Sequence, residues 1–138
     1  MIDKFRGKYW FLSNFAPCKI TYNGKTFMTV EHAFQAAKCE DENEQDIFLY
    51  VDTPAEAKKW GKVVKLRPDW ESVKIEIMTD LVRQKFKNEQ YRKLLQDTLD
   101  EYIVEGNNHN DTFWGVCKGK GQNRLGEIIM KIRKELFE

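Results

Sequence analysis

Thr29-Val30-Glu31-His32-Ala33-Phe34-Gln35-Ala36-Ala37-Lys38 places a carboxylate, an amide and an amine at positions 31, 35 and 38. Residues four and seven apart stack along one face of a helix, so a helix here would project all three into a common space. Val30, Ala33, Phe34 and Ala37 form the adjacent apolar stripe, and the alanines allow neighbouring elements to sit close. Such a polar face is either a solvated surface or the floor of an active site. An amine at Lys38, buried beside Glu31, has two chemistries open to it. It can donate a proton, or it can attack the aldehyde of a ring-opened sugar, and the two demand different protonation states.

Two further segments carry polar chemistry. Asn110-Asp111-Thr112-Phe113-Trp114-Gly115 sets an acid and an indole three residues apart in a turn-prone stretch. An indole held on a loop is a stacking platform for a base; the alternative is that Trp114 plugs a core and Asp111 caps a turn. Gly119-Lys120-Gly121-Gln122-Asn123-Arg124-Leu125-Gly126 runs from a glycine-rich loop into a helix start, where free amides and the helix dipole suit a phosphate. It has neither Walker A nor Rossmann spacing, and Asn123 capping the helix is a compatible, plainer reading. Trp70 stands at a helix mouth beside Asp69 and Arg67. Trp10 and Trp60 read as core residues.

The elements that must position these groups follow from local signals. Asn23-Gly24 between β-formers predicts a hairpin with strands near 18–22 and 25–28. Thr29 is the expected N-cap of the helix over 30–38. Thr53-Pro54-Ala55-Glu56 is a capping box with proline at the first helical position, starting a helix that ends near Gly61. A longer helix follows with Asp69 as cap and Val73, Ile77, Met78, Leu81, Val82 and Phe86 as its apolar stripe. Asn88 opens another, carrying Tyr91, Leu94, Leu95 and Leu99, and Tyr102-Ile103-Val104 reads as a short strand. Residues 106–124 read as a long functional loop, and the last helix, from about Asn123, buries Leu125, Ile128, Ile129, Ile132 and Leu136. The fold class expected is α+β, mainly α-helical, a single compact domain over 1–138 with a small N-terminal antiparallel β element.

Bulk properties narrow the function classes. Twenty-three basic and 22 acidic residues leave a net charge of +1 in 138 residues, so a bulk pull toward nucleic acid is absent. No apolar run approaches the roughly 20 residues that span a bilayer. Met1-Ile2-Asp3-Lys4 opens no signal-peptide core, which predicts a cytoplasmic protein with no membrane partner. Cys18, Cys39 and Cys117, with His32 and His109, make no zinc pattern and read as reduced thiols.

Five motifs in register resemble those of one family. They are Phe11-Leu12-Ser13-Asn14-Phe15, Thr29-x-Glu31-His32-x-Phe34-Gln35-Ala36-x-Lys38, Asp69-Trp70-Glu71-Ser72-Val73-Lys74, Asn110-Asp111-x-x-Trp114-Gly115, and Gly119-Lys120-Gly121-x-Asn123-Arg124-Leu125-Gly126-x-x-x-Met130-x-x-Arg133. In order and spacing they are similar to the YbiA-like branch of the NADAR (NAD and ADP-ribose) superfamily, over essentially the whole chain. That resemblance implies an N-glycosidase, acting on a phosphoribosylamino-pyrimidine of riboflavin synthesis or removing ADP-ribose from guanine in nucleic acid. It also implies catalytic roles for Glu31, Trp70, Asp111 and Trp114, and makes Lys38 the candidate for a covalent imine with the sugar. One departure is local. YbiA-like proteins carry an acidic, glycine-rich insertion after Trp-Gly, where this chain has Val116-Cys117-Lys118, a change expected to bear on substrate choice.

The chemistry of the residues agrees with that class. Breaking a ribosyl C–N bond builds positive charge at the anomeric carbon, which a carboxylate stabilises, and it needs a base for water or a nucleophile for the sugar. Glu31 and Asp111 offer carboxylates and Trp70 and Trp114 stacking faces. Gly121 and Asn123, with the loop around them, offer a phosphate cradle. Asn14 and Gln35 offer hydrogen bonds to ribose hydroxyls or a base edge, and Arg67 is a further substrate contact. No metal or cofactor is called for. The expected partner is a small phosphoribosyl or ADP-ribosyl substrate, or ADP-ribosylated nucleic acid. The competing class is a module that binds ADP-ribose or a nucleotide without cleaving it, and a third is a structural protein.

Overall fold

Asn23 and Gly24 adopt φ of 52° and 74°, the left-handed pair that a type I′ turn requires, and they join β1 (Ile20–Tyr22) to β2 (Lys25–Phe27) in antiparallel register. In the computed structural model, which describes residues 1–138, this hairpin belongs to the first of two compact units, Asn14–Asn88; Met1–Ser13 and Glu89–Glu138 form the second. The hairpin delivers the chain into α1 (Val30–Ala37), with the Thr29 side chain accepting from the His32 amide as expected of the cap. Short helices α2 (Glu42–Gln45) and α3 (Ile47–Tyr50) follow, then α4 (Pro54–Trp60) and α5 (Trp70–Lys85). Thr53 caps α4 through the Glu56 amide.

Helix α1 is the centre of this unit. Every one of its residues is buried, and β1, β2, α2, α3, α4 and α5 all pack on it. Ala33, Ala36 and Ala37 are fully enclosed, so backbones come close on several sides at once, while Phe27, Phe48, Met78, Leu81, Val82 and Phe86 fill the space around them. The open edge of β1 is closed by a side chain. The Gln84 carboxamide accepts from the Thr21 amide (2.6 Å) and donates to its carbonyl (3.0 Å), as a neighbouring strand would.

In the second unit, Ile2 bridges Ile103 by exchanging hydrogen bonds with Tyr102 and Val104. The strand expected at 102–104 is thus reduced to a single parallel bridge. A 3-10 helix (Gly7–Leu12), α6 (Glu89–Gln96) and α7 (Arg124–Phe137) enclose Leu12, Leu95, Ile103, Ile129 and Ile132. The segment expected to be loop holds two short parallel strands, β3 (Gly106–Asn107) and β4 (Val116–Cys117). Helix α6 ends at Gln96, earlier than its apolar spacing suggests. Leu99 adopts φ of 55° and is 76% exposed, because Thr98 turns back to donate to the Leu95 carbonyl and holds Arg133. Trp10 and Trp60, expected in the core, are about half exposed. No helix is long and apolar enough to cross a membrane.

Lys85 sits on the last turn of α5 at 1% exposure. Burial drives its amine down to about 7, with the Cys18 thiol acting weakly the other way. The folded state therefore favours the neutral amine, whereas the unfolded chain keeps the proton up to its ordinary 10.5. Stability must rise with pH above about 7, because the unfolded state binds more protons there. Burial raises the Cys18 and Cys39 thiols from their ordinary 9.0, an effect of opposite sign that begins near that value. Between pH 7 and 9 the lysine effect therefore stands clear of the thiols. Denaturant unfolding should show a midpoint that climbs across that window in the wild type and climbs much less in Lys85→Met. Equal slopes would contradict the burial of this charge.

Candidate functional site

Helix α1 presents its polar residues from an enclosed face. Glu31 is 8% exposed and Gln35 4%; the Gln35 Nε2 donates to Glu31 Oε2 at 2.5 Å. Gln35 Oε1 is buried without a hydrogen-bond partner and is pressed by Gly61, where a Cβ would lie 1.8 Å from it. Gly61 therefore does more than end α4: only hydrogen fits against the amide that holds Glu31. The sequence signal for Gly61 was legible as a helix stop, but not this contact.

Lys38 follows one turn on, half-buried. Burial lowers its pKa, the Glu31 carboxylate opposes that shift, and Lys58 and Lys62 reinforce it. His32, on the same helix, is committed to structure: its ring lies between the Thr29 hydroxyl (2.8 Å) and the Val51 carbonyl (3.1 Å), and burial lowers its pKa.

The other residues of this unit gather around α1. The Asn14 carbonyl accepts from the Glu31 amide at 3.1 Å, and its Nδ2 lies 3.5 Å from Met78 Sδ. The Arg67 amide donates to the Lys38 carbonyl at 2.8 Å. Its guanidinium grips Asp69 through Nε and Nη2 (2.6 and 3.0 Å) and reaches the Tyr22 hydroxyl. Hydrogen bonding to Arg67 holds the Asp69 carboxyl below the usual range. The expected cap of α5 is corrected by this pair: the Asp69 side chain makes no cap bond, because the arginine has taken it, and its carbonyl accepts from Ser72 instead. Trp70 is 6% exposed, with its ring 5.0 Å from that of Phe34 and tilted 54°.

Asp111, Trp114, Gly121 and Asn123 form a second group, in the other unit. Asn107 organises its start, accepting from the His109 and Asp111 amides and donating to the Asp111 carbonyl. Asp111 Oδ1 then accepts from the Phe113 and Trp114 amides at 3.1 and 2.9 Å. The turn-capping reading of Asp111 thus holds for one oxygen. Trp114 is half-buried, edge-on to Phe113 at 4.8 Å.

The glycine-rich segment departs from expectation. The amides of Gln122, Asn123, Arg124 and Leu125 donate to the carbonyls of Thr112, Gly115, Phe113 and Trp114. These four of the amides expected to be free for a phosphate are therefore consumed in strapping the Trp114 loop to the start of α7. Gly121 adopts φ of 149°, and a Cβ there would lie 2.1 Å from the Gly115 carbonyl, so this strap tolerates no side chain. Val116-Cys117-Lys118 forms β4 and a tight turn at Lys118-Gly119, with φ of 52° and 76°. Asn123 is not the side-chain cap expected of it. Buried and at φ of 52°, it donates to the Ile103 carbonyl and accepts from the Glu105 amide, both at 2.9 Å.

A family model described as the NADAR domain matches residues 3–137. The chain belongs to the NADAR family. Among its relatives, N-glycosidase YbiA of Escherichia coli is 40% identical over 132 residues, covering 93% of this chain and 82% of that protein. An N-glycosidase of Nostoc punctiforme is 37% identical, covering 93% and 86%. A riboflavin biosynthesis protein of Vibrio vulnificus is 37% identical over a region that is 36% of its length. The solution structure of E. coli YbiA superposes with a TM-score of 0.83 at 38% identity, covering 99% of this chain and 86% of that one. The mixed fold seen here, largely helical with a small antiparallel sheet, is the fold of that NADAR relative.

Asn123 gives the strap a direct test. Asn123→Ala removes one buried and one part-buried hydrogen bond and leaves an alanine in the left-handed region, a loss of about 3 kcal/mol. Urea unfolding should report a destabilisation of that order; a change below about 0.5 kcal/mol would mean that Asn123 does not hold the loop.

Proposed function

We propose that this NADAR protein cleaves the ribosyl C–N bond of a phosphoribosylamino-pyrimidine, with ADP-ribosylated guanine as the second substrate to be tried. The coarser class is firm: the chain is a hydrolase of N-glycosyl bonds, as its relatives are named. The choice of pyrimidine is supported by the riboflavin biosynthesis names of two relatives, from Vibrio vulnificus and Zea mays, and by the near-neutral charge of the chain.

The observation that carries the reading is a carboxylate at 8% exposure, held by Gln35 one turn along the helix, with Lys38 a further turn on. As the C1–N bond breaks, its electron pair leaves with the base and positive charge develops on C1. A buried, oriented carboxylate stabilises that charge without having to reorganise. In the reading proposed, Glu31 plays this part: the departing base nitrogen takes up a proton, and the neutral Lys38 amine bonds to C1. The C1–O4 bond then opens, with the amine proton passing to O4, to leave an imine that water hydrolyses to the free sugar and the amine. The lowered pKa of Lys38 supports the nucleophilic choice over the acid, because it enlarges the neutral fraction of the amine. Asp111, with Oδ1 already bonded, is proposed as the supporting carboxylate, and Trp114 and Trp70 as the aromatic groups that hold the base. Asn14, Gln35 and Arg67 remain the proposed polar contacts. The roles proposed for Gly121 and Asn123 narrow to shaping the loop.

Product chromatography on both substrates, run with wild type and Glu31→Gln, tests the assignment. The wild type should release free base, and Glu31→Gln should lose about 100-fold in kcat with little change in KM. Turnover within a few-fold of wild type would remove Glu31 from the role.

A further inference from the structure

Lys58 lies half-buried on α4, and Lys62 directly follows Gly61. Helix α4 packs along α1, and the contact of Gly61 with the Gln35 amide fixes the turn between these two lysines against the polar face. Four lysines elsewhere in the chain are answered by carboxylates: Lys25 by Asp46, Lys65 by Glu40, Lys74 by Glu71 and Lys93 by Asp97. No carboxylate pairs with Lys38, Lys58 or Lys62. Of the groups acting on Lys38, Glu31 and Cys39 favour its charged form, while Lys58 and Lys62 oppose it. Lys58 and Lys62 thus bring positive charge to the Lys38 amine, beside one carboxylate that is already engaged by Gln35, and an anion is the partner that this charge distribution lacks. The glycine-rich loop is a poorer alternative, since its Lys120, Gln122, Asn123 and Arg124 amides donate to the chain's own carbonyls.

We infer that Lys58 and Lys62 form a subsite for the 5-phosphate of the ribose whose C1 faces Lys38. This rests on the glycosidase reading above and adds to it the recognition of the sugar phosphate. The same phosphate ester occurs in a phosphoribosyl sugar and in ADP-ribose, so both belong in the test. Lysine suits it as a compact, mobile charge that meets phosphate oxygens without bidentate geometry. Neither lysine holds the fold through its side chain, and the Lys62 backbone amide, which donates to the Lys59 carbonyl, is kept in a Gln substitution, so folding should stay intact.

Calorimetric titration with ribose 5-phosphate, ADP-ribose and unphosphorylated ribose should be run on wild type, Lys58→Gln/Lys62→Gln, Lys62→Gln and the exposed control Lys59→Gln. The expected result is binding of a phosphate ester by wild type and Lys59→Gln, weakened about tenfold or more in the double variant, with ribose affinity unchanged. If only ribose 5-phosphate responds, the subsite serves a phosphoribosyl sugar; if ADP-ribose responds as well, it accepts a diphosphate. In turnover assays the double variant should raise KM on the phosphorylated substrate by a similar factor. Equal affinities across the variants, or no phosphate binding by the wild type, would overturn the subsite and leave the glycosidase reading standing. Phosphate binding lost in the variants, with no base released by the wild type, would keep the subsite and remove the glycosidase reading instead.

Discussion

A carboxylate inside a helix with no exposed face costs several kcal/mol unless neighbouring groups answer its charge, and α1 carries such a carboxylate at Glu31. Much of the Asn14–Asn88 unit follows from meeting that cost. Gln35, one turn away, donates to it, and Lys38, a further turn on, faces it with an amine whose charge Glu31 favours. Gln35 in turn is held by the hydrogen-bearing Cα of Gly61, so α4 must lie close. The enclosed alanines of α1 make that approach possible on several sides. The chain leaving α4 is tied back where the Arg67 amide meets the Lys38 carbonyl, and α5 then begins with Trp70 against Phe34. Enclosure, orientation and a depressed amine pKa therefore arise from one packing arrangement, and it is the arrangement that the proposed C–N cleavage would use.

The loop bearing Asp111 and Trp114 obeys a different rule, the satisfaction of backbone donors. Four consecutive amides at the start of α7 donate to the Thr112–Gly115 carbonyls, and Asn107 and Asp111 turn the chain into that pairing. Glycine is required where the strands of this strap touch, at Gly121 against Gly115. A segment whose composition suggests mobility is rigidly tied, and the price is the phosphate cradle that its glycines resemble.

What was legible in the sequence was local. The Asn23-Gly24 turn and the Thr29 and Thr53 caps depend on residues within four positions, and the structure contains them. Helical period placed Glu31, Gln35 and Lys38 on one face, yet period says nothing about what covers a face, and here even the polar side is enclosed. The failures share a cause: each depends on a partner elsewhere. Asp69 lost its cap role to Arg67, Leu99 lost its place in α6 to the turn at Thr98, and the amides of 122–125 were taken by carbonyls of another turn. Lys85, an apolar position in all but residue type, carried no sequence mark of its burial.

The central claim is that the enclosed face of α1 does covalent chemistry at Lys38 and does not merely bind a sugar. Borohydride added during turnover of a phosphoribosylamino-pyrimidine, followed by peptide mass spectrometry, tests it most directly. A reduced pentose phosphate adduct on Lys38, absent without substrate, is the result predicted. Continued release of base with no adduct on Lys38 would contradict it and assign the attack on C1 to water.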